Sequence, residues 1–316
     1  MLAFVLDDAL RLKEVPVPEP EPGEALVRVL LAGICGTDLE LLAGYRGFRG
    51  IPGHEMVGVV ESASDPGWVG KRVVSEINVV CHACSMCAEG LHRHCENRHA
   101  LGIDGRDGCF AEFLATPIEN LHVVPAGVTD EEAVWTEPLA AALAVFEVGL
   151  APGDRVLVVG DGRLAALIGL ALQARGLFVE IRGKHPSKLS RLQSLGLSTV
   201  TGEPRAIYPW VVEATGSAEG VEAARAWARP RGTIILKSTC HEPARIETSR
   251  IVVDELRLVG SRCGDFEPAL EVLAKKSMPL NELVSAIHPF REIERAFRES
   301  ARPETFKILL DFRAKS

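Results

Sequence analysis

From Arg155 to Ser261 the chain alternates short runs of apolar, largely β-branched residues with helix-patterned segments, and this alternation constrains the fold more than any other feature. The strand-like runs are RVLVVG (155–160), LFVEI (177–181), the segment 210–214, TIILK (233–237) and RLVGS (257–261). Helical patterning fills 163–175, 187–195 and 218–229, and returns at 266–276. Strands this apolar need cover on both faces, and the intervening helices supply it. The pattern predicts a doubly wound parallel sheet of α/β type. Its first strand leads into GDGRLA, which places Gly160, Gly162 and Ala165 in a G-x-G-x-x-A pattern. The first glycine permits a tight turn, the second lets a pyrophosphate approach the backbone, and a small third residue packs helix on strand. N–H groups at the helix start would face the phosphates. Alone the motif is weak, but a strand precedes it and a helix follows. Gly160, Gly162, Arg163 and Leu164 are therefore candidate dinucleotide contacts.

The first 139 residues read differently. Short valine-rich strands such as HEMVGVVESA and GKRVVSEINVV are separated by glycine and proline, which suggests a partly closed barrel or sandwich. The change falls near Thr136, where TEPLAAALAVFEVGL is helical in composition. Residues 1–139 are thus expected to form a β-rich domain and 140–276 the α/β domain. The tail 277–316, with the helix REIERAFRES and the strand TFKILLDF, is expected to return to the first domain. A hydrophobic fraction of 47% is enough to fill two cores. The net charge of -8 argues against a nucleic-acid partner. No long apolar run and no targeting segment is visible, so the expectation is a cytoplasmic protein with no membrane contact.

Four of the eight cysteines lie in one run, CHACSMCAEGLHRHC, as Cys81, Cys84, Cys87 and Cys95. They are too local for a disulfide framework in a chain of this size. Four thiolates at these spacings can surround one Zn2+ tetrahedrally, and a closed all-sulfur shell reads as structural. An iron–sulfur cluster would need the same residues, though nothing else in the chain suggests electron transfer. His82, His92, His94 and His99 read as surface or supporting residues.

Cys35 in GICGTDLE and His54 in PGHE are weak signals taken singly, since a lone cysteine is usually a small buried hydrophobe. The set GICGTDLE, PGHE, the four-cysteine run, FAEF, HVVP, TEPLAAAL, GDGRLA, EATG and VGSR is much more specific. In that order, over nearly the whole chain, it resembles the zinc-dependent medium-chain alcohol/polyol dehydrogenases. The resemblance implies a GroES-like β-rich catalytic domain (1–139, with the structural-zinc lobe at 81–95) and a Rossmann cofactor domain. It implies a second, catalytic zinc held by Cys35, His54 and a carboxylate, either Glu137, Glu55 or both by turns. Three protein ligands would leave one position for a substrate oxygen. Thr37 resembles the hydroxyl that takes the alcohol proton, and Asp38 the carboxylate that orients the histidine. By themselves, Thr37 could simply cap a helix and Asp38 could be a helix-start charge.

The resemblance also bears on the cofactor. It puts Gly183 where the family carries the aspartate that meets the adenosine ribose. Arg182 and Lys184 flank this glycine and could hold a 2'-phosphate, so NADP is favoured over NAD. Glu180 would favour NAD if the register differs. Thr215 with Gly216, and Ser261 with Arg262, resemble family loops that approach the dinucleotide. The implied reaction moves a hydride between an alcohol or polyol and the nicotinamide, with the alcohol proton leaving through Thr37. A homodimer or homotetramer is implied as well. Two rivals stand beside this reading: a zinc-independent quinone or enoyl reductase of the same fold, and a non-catalytic nucleotide-binding protein. Tyr45, Phe110 and Trp135 are candidate pocket residues that could equally be core.

Overall fold

The computed structural model describes residues 1–7, 9–239 and 243–313. It divides into two compact units. The first contains Met1–Glu137, Phe266–Lys275 and Leu280–Ser316, and the second Pro138–Asp265 and Lys276–Pro279. Phe266–Lys275, which the sequence pattern joins to the α/β repeat, is grouped with the first unit.

The first unit is built on a seven-stranded sheet. Its order is Leu121–Val123, Arg72–Ser75, Glu55–Ala63, Glu24–Gly33, Lys307–Asp311 and Val284–Pro289, with Phe113–Pro117 also paired to Glu24–Gly33. The ten-residue strand Glu24–Gly33 is the organiser. Phe113–Pro117 pairs with its first half, and the strand Lys307–Asp311 pairs with its end. Alternating apolar residues on this strand, among them Val27, Val29 and Leu31, are buried. Val27 and Val29 join Phe4, Phe110, Phe297 and Leu310 in one core, each large side chain contributing about 1.5–3 kcal/mol. Phe110 and Trp135 are both fully buried, so their places are in the interior packing.

Register at the end of the organising strand decides what the site can contain. Gly33 lies opposite Glu55 on one side and Leu309 on the other. A Cβ at Gly33 would collide with the Glu55 carboxylate and stand 3.2 Å from Lys307 Nζ. Only glycine leaves room for these two side chains to meet across the strand. The four-cysteine run is carried separately, between Asn78–Val79 and His99–Leu101 of a three-stranded sheet.

The second unit is a six-stranded parallel sheet. Its order is Ser198–Thr199, Phe178–Arg182, Arg155–Val159, Tyr208–Glu213, Ala228–Leu236 and Arg257–Gly260. Numbered along the chain, that is 3-2-1-4-5-6, the order of doubly wound dinucleotide-binding sheets. Two features differ from the sequence pattern. Ser198–Thr199 is too short to show a period. The fifth strand begins at Ala228 and passes through Arg-Pro-Arg-Gly, which reads as a break. A register shift between Tyr208 and Trp210 accommodates that irregular entry. Among the described residues no helix is long and apolar enough to cross a membrane. Asp8 lies outside them.

Candidate metal centres and nucleotide-binding loop

Cys35 is the N-cap of the short helix Gly36–Leu42, directly after the organising strand. Its N–H donates to Asp38 Oδ2 at 2.8 Å, which ties Asp38 to the helix start. The other oxygen, Asp38 Oδ1, lies 3.5 Å from His54 Nδ1. Asp38, His54 and Glu55 are all buried. Cys35, His54 and Glu55 each present one ligand atom, and these atoms lie within 4.8 Å of one another. Thr37 Oγ1 is 3.8 Å from the Cys35 sulfur. Glu55 Oε2 is ion-paired with the fully buried Lys307, while Glu55 Oε1 has no hydrogen-bond partner. Glu137, at the start of the helix Thr136–Leu143, is not in this group of ligand atoms, although its charge acts on His54.

The electrostatics favour a cation. Burial pushes the Asp38 carboxyl above its ordinary value, and the Glu55 charge adds to that. Burial likewise raises the Cys109 thiol, with Asp38 and Glu55 contributing. For His54, burial works to lower the value, but Asp38, Cys35 and Glu137 together hold it well above the ordinary imidazole range. Burial is the leading cause for Asp38 and Cys109, and neighbouring negative charge adds to it, while at His54 negative charge outweighs burial. A divalent cation would offset that negative charge, and a Cys, His and carboxylate set suits zinc. The unpartnered Glu55 Oε1 and His54 Nδ1 are the kind of buried polar atom that a metal and its supporting carboxylate would satisfy.

The four-cysteine group fits a metal on distances alone. Cys95 and Cys81 sulfurs are 3.5 Å apart, and Cys84 and Cys95 sulfurs 3.9 Å. A tetrahedron with Zn–S bonds of about 2.3 Å has an edge of about 3.8 Å. Hydrogen bonds from Asn97 and the backbone at Ala83 bring the Cys81 thiol down to about 6. Burial pushes Cys87 up to about 12, with Cys84 and Cys95 adding to it. The Cys81 sulfur is thus ready as thiolate, and a bound cation would favour the same form at Cys87.

In the second unit, Gly160 follows the first strand with φ +135, and a Cβ there would strike the Ala214 carbonyl. Gly162 caps the helix Arg163–Ala174, and a Cβ on it would meet nothing within 4 Å. The ground above this helix start is open, as an approaching pyrophosphate requires. Thr215 N and Oγ1 both donate to Glu213 Oε1, at 2.8 and 2.7 Å. Gly216 N donates to Ser238 Oγ at 2.7 Å. Buried Lys237 donates to Ser261 Oγ at 3.3 Å and to the Arg262 carbonyl. Glu180 sits in mid-strand, bound by Arg155 at 3.0 Å and by the Tyr208 hydroxyl at 2.8 Å. Gly183 is the first residue past the second strand, and the space above it is filled by the side chain of Asp161.

Sequence reasoning missed Lys307, Glu213, Lys237 and Asp161. Lys307 left one trace, a lysine at the head of the otherwise apolar KILL. Asp161 left another, an acid inside the glycine loop.

Residues 21–126 match the family model described as Alcohol dehydrogenase GroES-like domain. The chain is 32% identical to a D-altritol 5-dehydrogenase of Agrobacterium fabrum, over 97% of this chain and 98% of that protein. A short chain alcohol dehydrogenase of Escherichia coli CFT073, solved with NADH, superposes with a TM-score of 0.92 at 25% identity, covering 99% of each chain. A Sinorhizobium meliloti 1021 protein solved with NADP superposes with a TM-score of 0.89 at 26% identity, covering 98% of each. This chain belongs to the zinc-type medium-chain alcohol/polyol dehydrogenase family. It is an NAD(P)-dependent hydride-transfer oxidoreductase of alcohol or polyol substrates.

Proposed function

We propose that the chain oxidises a secondary hydroxyl of a polyol, or reduces the matching ketone, at a zinc held by Cys35, His54 and Glu55. The observation that carries this reading is the buried group of three ligand atoms, with Glu55 Oε1 left unpartnered. A carboxylate in place of a second thiolate leaves more positive character on the metal. The Agrobacterium relative, a D-altritol 5-dehydrogenase, supports a polyol as substrate. When bound, zinc supplies a Lewis acid for the substrate oxygen and the dinucleotide supplies the hydride acceptor or donor. Asp38 Oδ1 stands 3.5 Å from His54 Nδ1 and would orient the ring, leaving the other ring nitrogen for the metal. Thr37 stands beside Cys35 and takes the hydroxyl proton. Glu137 acts on the same pocket through its charge and is the alternate carboxylate. The cysteines at 81, 84, 87 and 95 hold a second, structural zinc. The nucleotide turn carries charge of both signs: Arg182 and Lys184 support NADP, and Asp161 supports NAD.

The test is metal analysis on purified protein followed by a panel of polyols and ketoses with both dinucleotides. The expected result is two zinc ions per chain and turnover of polyols. One zinc and no turnover of any alcohol would overturn the reading.

Thr37→Val keeps the shape of the side chain and removes the hydroxyl. It should lower kcat by about 10²-fold or more, the usual contribution of a positioned proton-transfer group, with zinc content and melting temperature unchanged. Unchanged kcat would remove Thr37 from the proton path.

A further inference from the structure

The second strand of the parallel sheet ends at Arg182, and the helix Pro186–Ser194 begins four residues later. The turn between them holds a group from elsewhere. Asp161, the middle residue of Gly-Asp-Gly, reaches across from the neighbouring loop and is buried. Its Oδ2 accepts from the backbone N–H of Lys184 at 2.7 Å and of His185 at 2.8 Å. Its Oδ1 lies 3.0 Å from His185 Nδ1. Arg182 turns back onto the Gly183 carbonyl. The N–H groups that could have received an external anion are therefore already engaged by an internal one. Burial alone would raise the Asp161 carboxyl, but the His185 ring and these two amides overcome it and hold it below the ordinary value. It is charged at neutral pH.

Gly183 explains the arrangement. A Cβ at 183 would lie 2.5 Å from both Cβ and Oδ2 of Asp161. An acid side chain at the end of the second strand and an aspartate at 161 exclude each other. In doubly wound sheets an acid at the strand end accepts from the adenosine ribose and repels a 2'-phosphate. Here the strand end has no side chain, and a carboxylate from the glycine loop stands against it. The charge has been moved from one loop to the other.

We infer that Asp161 is the specificity-determining residue of the nucleotide site and selects NAD over NADP. This rests on the reading of Gly160–Gly162 as the dinucleotide loop, and it reverses the preference that Arg182 and Lys184 suggest in the sequence. Those cations flank the turn, but the carboxylate occupies its centre in a setting of reduced dielectric, where like charges repel strongly. Gly183→Asp alone is not a usable test, because Asp161 blocks it.

The experiment is fluorescence titration of the purified protein with NADH and with NADPH, together with kcat/KM for NAD and NADP. The wild type should bind NADH at least about tenfold more tightly than NADPH. Asp161→Asn preserves size, still accepts both backbone N–H groups, and can donate to His185 Nδ1. It should fold normally, as its melting curve will report, and move the NADH:NADPH ratio toward NADPH by about tenfold or more. Asp161→Gly should do the same and open the space above Gly183. The double variant Asp161→Gly/Gly183→Asp returns the acid to the strand end and should restore the preference for NADH. Equal or tighter NADPH binding by the wild type would overturn the inference. So would an Asp161→Asn ratio within about twofold of the wild type. Failure of both dinucleotides to bind would sink the nucleotide-loop reading itself, and the inference with it.

Discussion

His54→Ala should abolish alcohol oxidation while leaving a folded protein, and Cys81→Ser should damage folding more than chemistry. A metal acting as Lewis acid supplies several kcal/mol to the barrier, and each 1.4 kcal/mol is about a tenfold change, so kcat/KM should fall by about 10³-fold or more. The fold should lose far less. His54 is buried and its Nδ1 has no hydrogen-bond partner within good geometry, so truncation breaks no bond at that atom. A loss of about 1–3 kcal/mol is the ordinary range for such a truncation. Cys81 differs in kind. It shares close sulfur contacts with Cys95 and carries Asn97, and its removal opens a shell that folds the whole lobe. Structural zinc sites contribute folding free energy directly. The melting temperature should drop by about 10 °C or more, as several kcal/mol implies at 2–4 °C per kcal/mol. Zinc content, melting temperature and kcat/KM measured together decide the matter. Each variant should retain one zinc. Equal damage to folding in both, or an active His54→Ala enzyme, would end the division into structural and catalytic sites.

The legibility of these sites in sequence follows from how local each one is. The parallel strands could be read because burial on both faces writes a continuous apolar run into each. The four cysteines could be read because one lobe carries them all. The candidate catalytic group is different, since Cys35 and His54 come from separate loops that the pairing of Glu24–Gly33 with Glu55–Ala63 brings together. For the same reason the sequence could not choose between Glu55 and Glu137. That choice depends on long-range placement of Glu137, and no spacing encodes it. Lys307 is 252 residues from its partner, and no pattern links them. Asp161 was in plain view but in the variable position of the motif, where side chains are ordinarily disregarded. Among the described residues, the missed Val284–Pro289 strand pairs with only the neighbouring Lys307–Asp311. An edge strand with one partner and alternating exposure carries a weaker apolar signal than a central one.

Lys307→Met should destabilise the protein by about 3–5 kcal/mol, although it replaces a charge in the core with an apolar group of similar length. Lys307 is fully buried, ion-paired with Glu55, and its ammonium lies 5.1 Å from the centre of the Trp135 ring. The Met side chain would pack well against that ring. The penalty comes from the partner left behind. Glu55 would remain buried near Asp38 and Cys109, in a pocket where burial already raises both of those groups above their ordinary values. An uncompensated carboxylate there costs far more than the salt bridge contributes net, because desolvation of the pair offsets most of its attraction. The double variant Lys307→Met/Glu55→Gln separates the two contributions. Gln keeps the shape, removes the charge, and should recover most of the loss, giving a strongly non-additive cycle. Zinc should partly rescue the single variant, since the ion can serve as the missing countercharge to Glu55. Chemical denaturation of wild type, both single variants and the double, with and without added zinc, gives the four free energies required. A single variant within about 1 kcal/mol of wild type would show that Glu55 does not depend on Lys307. Equal losses in the single and double variants would show that the cost is packing and not the stranded charge.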